Sequence, residues 1–111
     1  MSGPAARRLR KRLETEIEKL RRLEGRRSRW SSLWSYWIDG REIVHFHRDG
    51  SVDVRLTRAA IRERRAALVA DPRVGLGAPS RDWVSVTLAS PADVPLAVEL
   101  VKVAIAANRA R

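Results

Sequence analysis

The chain has no cysteine, one methionine, one tyrosine, one phenylalanine and only two histidines in 111 residues. Without cysteine there is no disulfide framework, no thiolate metal site and no thiol nucleophile. No apolar run approaches the roughly 20 residues of a membrane span. Met1 to Ala6 lacks the apolar core of a secretory signal, so no membrane partner and a cytoplasmic address are expected. Phosphate-loop, nucleophile-elbow and H-E-x-x-H patterns are missing as well. Gly75-Leu76-Gly77 lacks the strand-to-helix setting of a dinucleotide fingerprint and reads as a loop. These motifs assign no cofactor and no reaction.

Positive charge is abundant. The 23 Lys and Arg outnumber the 13 Asp and Glu by ten, and 44% apolar content is too high for a chain disordered throughout. Residues 1 to 30 hold eleven Lys or Arg and four Glu, so the basicity concentrates at the N-terminus. There Leu9, Leu13, Ile17, Leu20 and Leu23 recur at helical spacing, and Gly25 reads as the stop. The expected organisation is a basic amphipathic helix and linker over 1–29, with Arg26 to Arg29 as linker, followed by a domain over 30–108.

From residue 33 the apolar period becomes two. Asp39-Gly40 and Arg48-Asp49-Gly50 divide a three-stranded meander near 33–38, 41–47 and 51–56. A two-residue loop pairs Ile38 with Arg41, Trp37 with Glu42, Tyr36 with Ile43 and Trp34 with His45. A three-residue loop ending at Gly50 sets Val44 opposite Val54, His45 opposite Asp53 and Phe46 opposite Val52. Thr57 caps a predicted helix reaching Ala70, Trp83 to Leu88 alternate as a fourth strand, and Ser90, Pro91 and Asp93 open a last helix. The predicted fold class is therefore α+β: a two-layer, four-stranded, mainly antiparallel sheet with two helices on one face. Those helices cover Val44, Phe46, Val52, Val54, Leu56, Val84, Val86 and Leu88. The opposite face is expected to carry Trp34, Tyr36, Ile43, His45, His47, Asp53, Arg55, Ser85 and Thr87.

His45 and His47, at i,i+2 on a strand, project to one side with Asp53 opposite the first. Three readings follow. Two imidazoles and a carboxylate match the ligand set of non-haem iron and some zinc sites. As an acid–base site, Asp53 orients His45 while His47 or Arg55 meets an anionic substrate. As structure alone, the three form a polar cross-strand network partly covered by the first helix. The basic arm, followed by Trp30, Trp34, Tyr36 and Trp37, admits nucleic acid as a partner. Its leucine stripe admits a homodimer seam. Arg62, Arg64 and Arg65 read as the solvated side of their helix.

The stretch Arg41-Glu42-Ile43-Val44-His45-Phe46-His47-Arg48-Asp49-Gly50, with Val52 to Leu56, Asp82-Trp83-Val84 and Asp93, resembles the luciferase-domain family of small bacterial proteins. The resemblance covers about residues 30 to 108. It implies a compact α+β unit and points to Glu42, His45, His47, Asp53 and Trp83 as positions to test. Val44 stands where relatives often have glycine. The functional expectation is a small binding or interaction domain, with an anionic small-molecule site formed by His45, His47, Asp53, Glu42, Arg55 and Trp83.

Overall fold

Asp39 and Gly40 take φ of 49° and 77°, as a two-residue turn between right-twisted strands requires, and they join two strands of a six-stranded antiparallel sheet. The computed structural model describes residues 3–20, 23–27, 34–77 and 81–109. In chain order the elements are α1 (Pro4–Glu18), β1 (Glu24–Arg27), β2 (Trp34–Ile38), β3 (Arg41–Phe46), β4 (Ser51–Arg55), α2 (Arg58–Glu63), α3 (Arg65–Ala70), β5 (Val74–Leu76), β6 (Trp83–Thr87) and α4 (Asp93–Asn108). The strands lie in the order β1-β2-β3-β4-β6-β5.

The α+β class stands, but the expected four strands become six. Each added strand lies at an edge and has a sequence that hides it. β1 carries Gly25 and two arginines, which read as a helix stop and a linker, yet Gly25 pairs with Tyr36 and Arg26 with Ser35. A Cβ at residue 25 would lie 2.7 Å from the Trp34 ring, so the glycine serves close approach instead of a helix end. β5 falls among glycines, where Val74 and Leu76 pair with Val86 and Val84.

Val44, Phe46, Val52, Val54, Val84 and Val86 form one buried layer with Leu9, Leu13 and Ile17 of α1 and Val94, Ala97, Val101 and Ala104 of α4. The helices over this face are thus the first and the last. Tyr36 belongs to the same layer: its ring packs edge-on to Phe46 at 6.3 Å, and its hydroxyl donates to Glu18 Oε2 of α1 at 2.8 Å. Burial and the Glu18 carboxylate together push the Tyr36 hydroxyl far above its usual pKa. The single helix expected over 57–70 is two short ones. Arg64 sits at φ −107° and ψ 10°, and residues 62–67 bury no side chain that would hold the intervening turn. Leu68 lies near Leu96 and Leu100 beside β5.

The last helix starts at Asp93 with Ala92 as N-cap, two residues beyond the expected first position at Pro91, although the expected contact of Asp93 with the Ser90 N–H forms. Asp93 Oδ2 accepts the backbone N–H groups of Ala89 at 2.7 Å and Ser90 at 2.9 Å, while Oδ1 lies 3.2 Å from Arg73. Burial raises the pKa of this carboxyl, but the two N–H groups and Arg73 outweigh it and hold the group below its usual value. Asp93→Ala should cost about 1–2 kcal/mol in urea melts at neutral pH. Because the folded-state pKa is depressed, this contribution is complete above the unfolded carboxyl value and disappears as pH falls through the folded one. The gap between wild type and variant should close in acid.

Candidate functional site

The β3–β4 pairing follows the expected register, with Val44 opposite Val54, His45 opposite Asp53 and Phe46 opposite Val52. The β2–β3 pairing does so only for Ile38–Arg41 and Trp37–Glu42. Beyond them Ile43 is an extra residue, so Tyr36 faces Val44 and Ser35 faces His45; the expected Tyr36–Ile43 and Trp34–His45 pairs do not form. This β-bulge decides the site. In a regular strand residues three apart lie on opposite faces, whereas here Glu42 and His45 share one. Glu42 Oε2 lies 3.3 Å from His45 Nδ1. Tyr36 turns to the core, and Ser35 and Trp37 take its place on the polar face.

That face lies opposite α1 and α4, although His47, just past the end of β3, borders a cavity that Ala6, Arg7 and Arg10 of α1 also line. His45 Nε2 lies 3.0 Å and His47 Nε2 2.8 Å from the same oxygen, Asp53 Oδ2. The side chains grade outward, with His45 at 12% exposure, Asp53 at 24% and His47 at 44%. Trp83, on neighbouring β6, packs on His45 with ring centroids 4.9 Å apart, and the two imidazoles lie 5.0 Å apart edge to face. Burial pushes the Asp53 carboxyl pKa up, but the imidazole hydrogen bonds outweigh it and leave the group below its usual range.

All six residues the sequence singles out lie on this face: Glu42, His45, His47, Asp53 and Trp83 meet, and Arg55 lines a cavity with Glu42 and Trp83. Arg55 stands on the same face opposite Trp83, with its guanidinium turned to Asp82 Oδ2 at 2.9 Å. Asp82 also accepts the Arg58 N–H through Oδ1. Thr57 N donates to the Asp82 carbonyl, holding Thr57 at φ 80°. Arg55 charge is thus committed to the end of β4. Ser35 belongs to the surroundings of the site and its sequence gave no sign of it: fully buried, it accepts from Trp37 Nε1 at 2.8 Å and donates to the Arg26 carbonyl at 3.0 Å.

Of the aromatics near the basic arm, Tyr36 and Trp37 are buried and Trp34 is exposed, while Trp30 lies outside the described residues. Arg26 caps the Trp37 ring at 3.8 Å. No helix among the described residues is long and apolar enough to cross a membrane.

The family model of the luciferase domain matches residues 40–104, more than half of the chain and the whole of this His-bearing face from Glu42 to Trp83. The chain belongs to the luciferase-domain family. No curated protein and no solved structure matches it. The matched stretch of this luciferase-domain protein begins at the Asp39-Gly40 turn and runs into α4, so α1, β1 and β2 lie outside it. In this luciferase-domain chain α1 nevertheless completes the buried layer beneath the site, with Leu13 and Ile17 fully buried.

One atom of the site stands out. His45 Nδ1 is buried without a hydrogen bond, 3.3 Å from the Glu42 oxygen, as is Arg55 Nε on the same face. With each Nε2–H donating to Asp53, a neutral His45 presents a bare Nδ1 lone pair toward a carboxylate.

Proposed function

We propose that this luciferase-domain protein is a divalent-metal-binding domain, with His45 Nε2, His47 Nε2 and an Asp53 carboxylate oxygen as the protein ligands. The observation that carries the reading is the convergence of both Nε2 atoms on one carboxylate oxygen. The ligand atoms of the three residues lie within 4.8 Å of one another. Two ligands each about 2.1 Å from a tetrahedral ion are about 3.4 Å apart. The His–Asp distances of 2.8 and 3.0 Å are hydrogen-bond lengths, so small side-chain shifts would open these contacts to admit an ion.

Metal binding also accounts for the unbonded His45 Nδ1. With Nε2 bound to an ion, the His45 proton resides on Nδ1 and faces Glu42, the carboxylate–histidine–metal arrangement that fixes ring orientation. Trp83 holds the other side of the ring, and His47 opens the centre to solvent. Two imidazoles and one carboxylate leave coordination positions open and suit zinc or ferrous ion over calcium or magnesium, which prefer all-oxygen sites. Such an ion would act as a Lewis acid or lower the pKa of a bound water.

Elemental analysis of untagged protein is the direct test. About one zinc or iron per chain supports the reading. Protein that stays metal-free after equilibration with either ion at micromolar concentration and removal of the excess refutes it.

A further inference from the structure

Trp83 has two neighbours of different character. Toward β3 it covers His45; toward α2 it forms one wall of a separate cavity of about 280 Å³. Ile61 is part of the apolar lining, and Arg58, Arg62, Arg65 and Arg81 surround it. The first three arginines recur at steps of four and three, which brings them to one side of the α2–α3 pair despite the break at Arg64. None of the four side chains forms an ion pair among the described residues, in contrast to Arg55 and Arg73, which are paired with Asp82, Asp71 and Asp93.

Four guanidinium groups held together repel one another, and an anion between them relieves that repulsion through bidentate, charge-assisted hydrogen bonds. The apolar wall adds a second requirement. An inorganic anion would leave Trp83 and Ile61 uncovered, while a ligand with a planar body would bury them, and aromatic stacking rewards that placement. The volume sits at the lower end of ligand pockets, room for a single ring and not for a dinucleotide.

We propose that this cavity binds a small aryl oxyanion, a one-ring compound carrying a phosphate or carboxylate group, with its charge among Arg58, Arg62, Arg65 and Arg81 and its ring on Trp83. The anionic ligand expected from the sequence is thereby placed beside the His face instead of on it, where Glu42 and Asp53 would repel it. The inference does not depend on a metal at His45, His47 and Asp53, although a ring on Trp83 would lie next to that centre.

The test is calorimetric titration of chelator-treated protein with phenyl phosphate, inorganic phosphate and benzyl alcohol. Phenyl phosphate should bind about tenfold or more tightly than either of the others. Its affinity should fall with added salt and drop by about tenfold in Arg62→Ala/Arg65→Ala. Both arginines are exposed, so the variant should keep its melting profile. His47→Ala should leave phenyl phosphate binding unchanged, which separates this site from the metal reading. Equal affinity for phenyl and inorganic phosphate, or full binding by the double variant, would overturn the proposal.

Discussion

Replacing Leu13 with alanine should lower the unfolding free energy by about 3 kcal/mol. Leu13 is fully buried, central to the stripe Leu9, Leu13, Ile17, and joins the cluster formed by the sheet valines and α4. Truncation removes the transfer free energy of the lost carbons and leaves a cavity bounded by a helix and a sheet that cannot both close on it. Urea melts followed by circular dichroism measure the loss as a lower midpoint at unchanged slope. A midpoint within error of wild type would show that α1 is an appendage and not part of the core. The hydrophobic face of this basic helix is committed to its own chain, which leaves the Arg and Lys side chains as its outward surface.

The second large effect concerns metal affinity. Removing His47 would take away one of the three proposed ligands at the most exposed point of the cluster, where its loss costs the fold little. His47→Ala should weaken zinc binding by a factor on the order of 100 or more in a competition titration, with the melting profile of the metal-free protein nearly unchanged. Glu42→Gln keeps the shape next to His45 Nδ1 but removes the charge that favours the proton there. It should weaken binding by about tenfold, at the lower end of what outer-shell partners contribute. Wild-type zinc affinity in His47→Ala would exclude it as a ligand. Loss in His47→Ala without any in Glu42→Gln would leave the ligand set intact and remove the role assigned to the bulge.

That bulge also marks where the sequence stops being informative. The β3–β4 register was legible because Val44, Phe46, Val52 and Val54 alternate with polar residues, and a three-residue loop alone keeps both faces consistent. Pairing His45 with Asp53 needed nothing more. In β2, by contrast, Tyr36, Trp37 and Ile38 are all apolar, so alternation does not say which of them turns inward. The extra residue Ile43 is as apolar as its neighbours and gives no sign of an irregularity. The family resemblance pointed to Glu42 and His45 as positions, but their meeting was not visible in periodicity. The edge strands were hidden for a different reason: β1 and β5 are short, glycine-bearing and stabilised by pairing across the sheet, not by local pattern. The arginine spacing at 58, 62 and 65 was present in the chain, but its meaning depended on Trp83 and Arg81 arriving from β6 and the preceding loop.

The proposed metal ion would be held by two imidazoles and one carboxylate on the polar sheet face. The decisive measurement is anomalous diffraction at the zinc edge from a crystal of the full chain grown with one equivalent of zinc. The expected result is a single strong peak about 2.0–2.2 Å from His45 Nε2, His47 Nε2 and an Asp53 oxygen. An ordered face without a peak, with both imidazoles still bonded to Asp53, would contradict it and leave the three residues a cross-strand hydrogen-bond network.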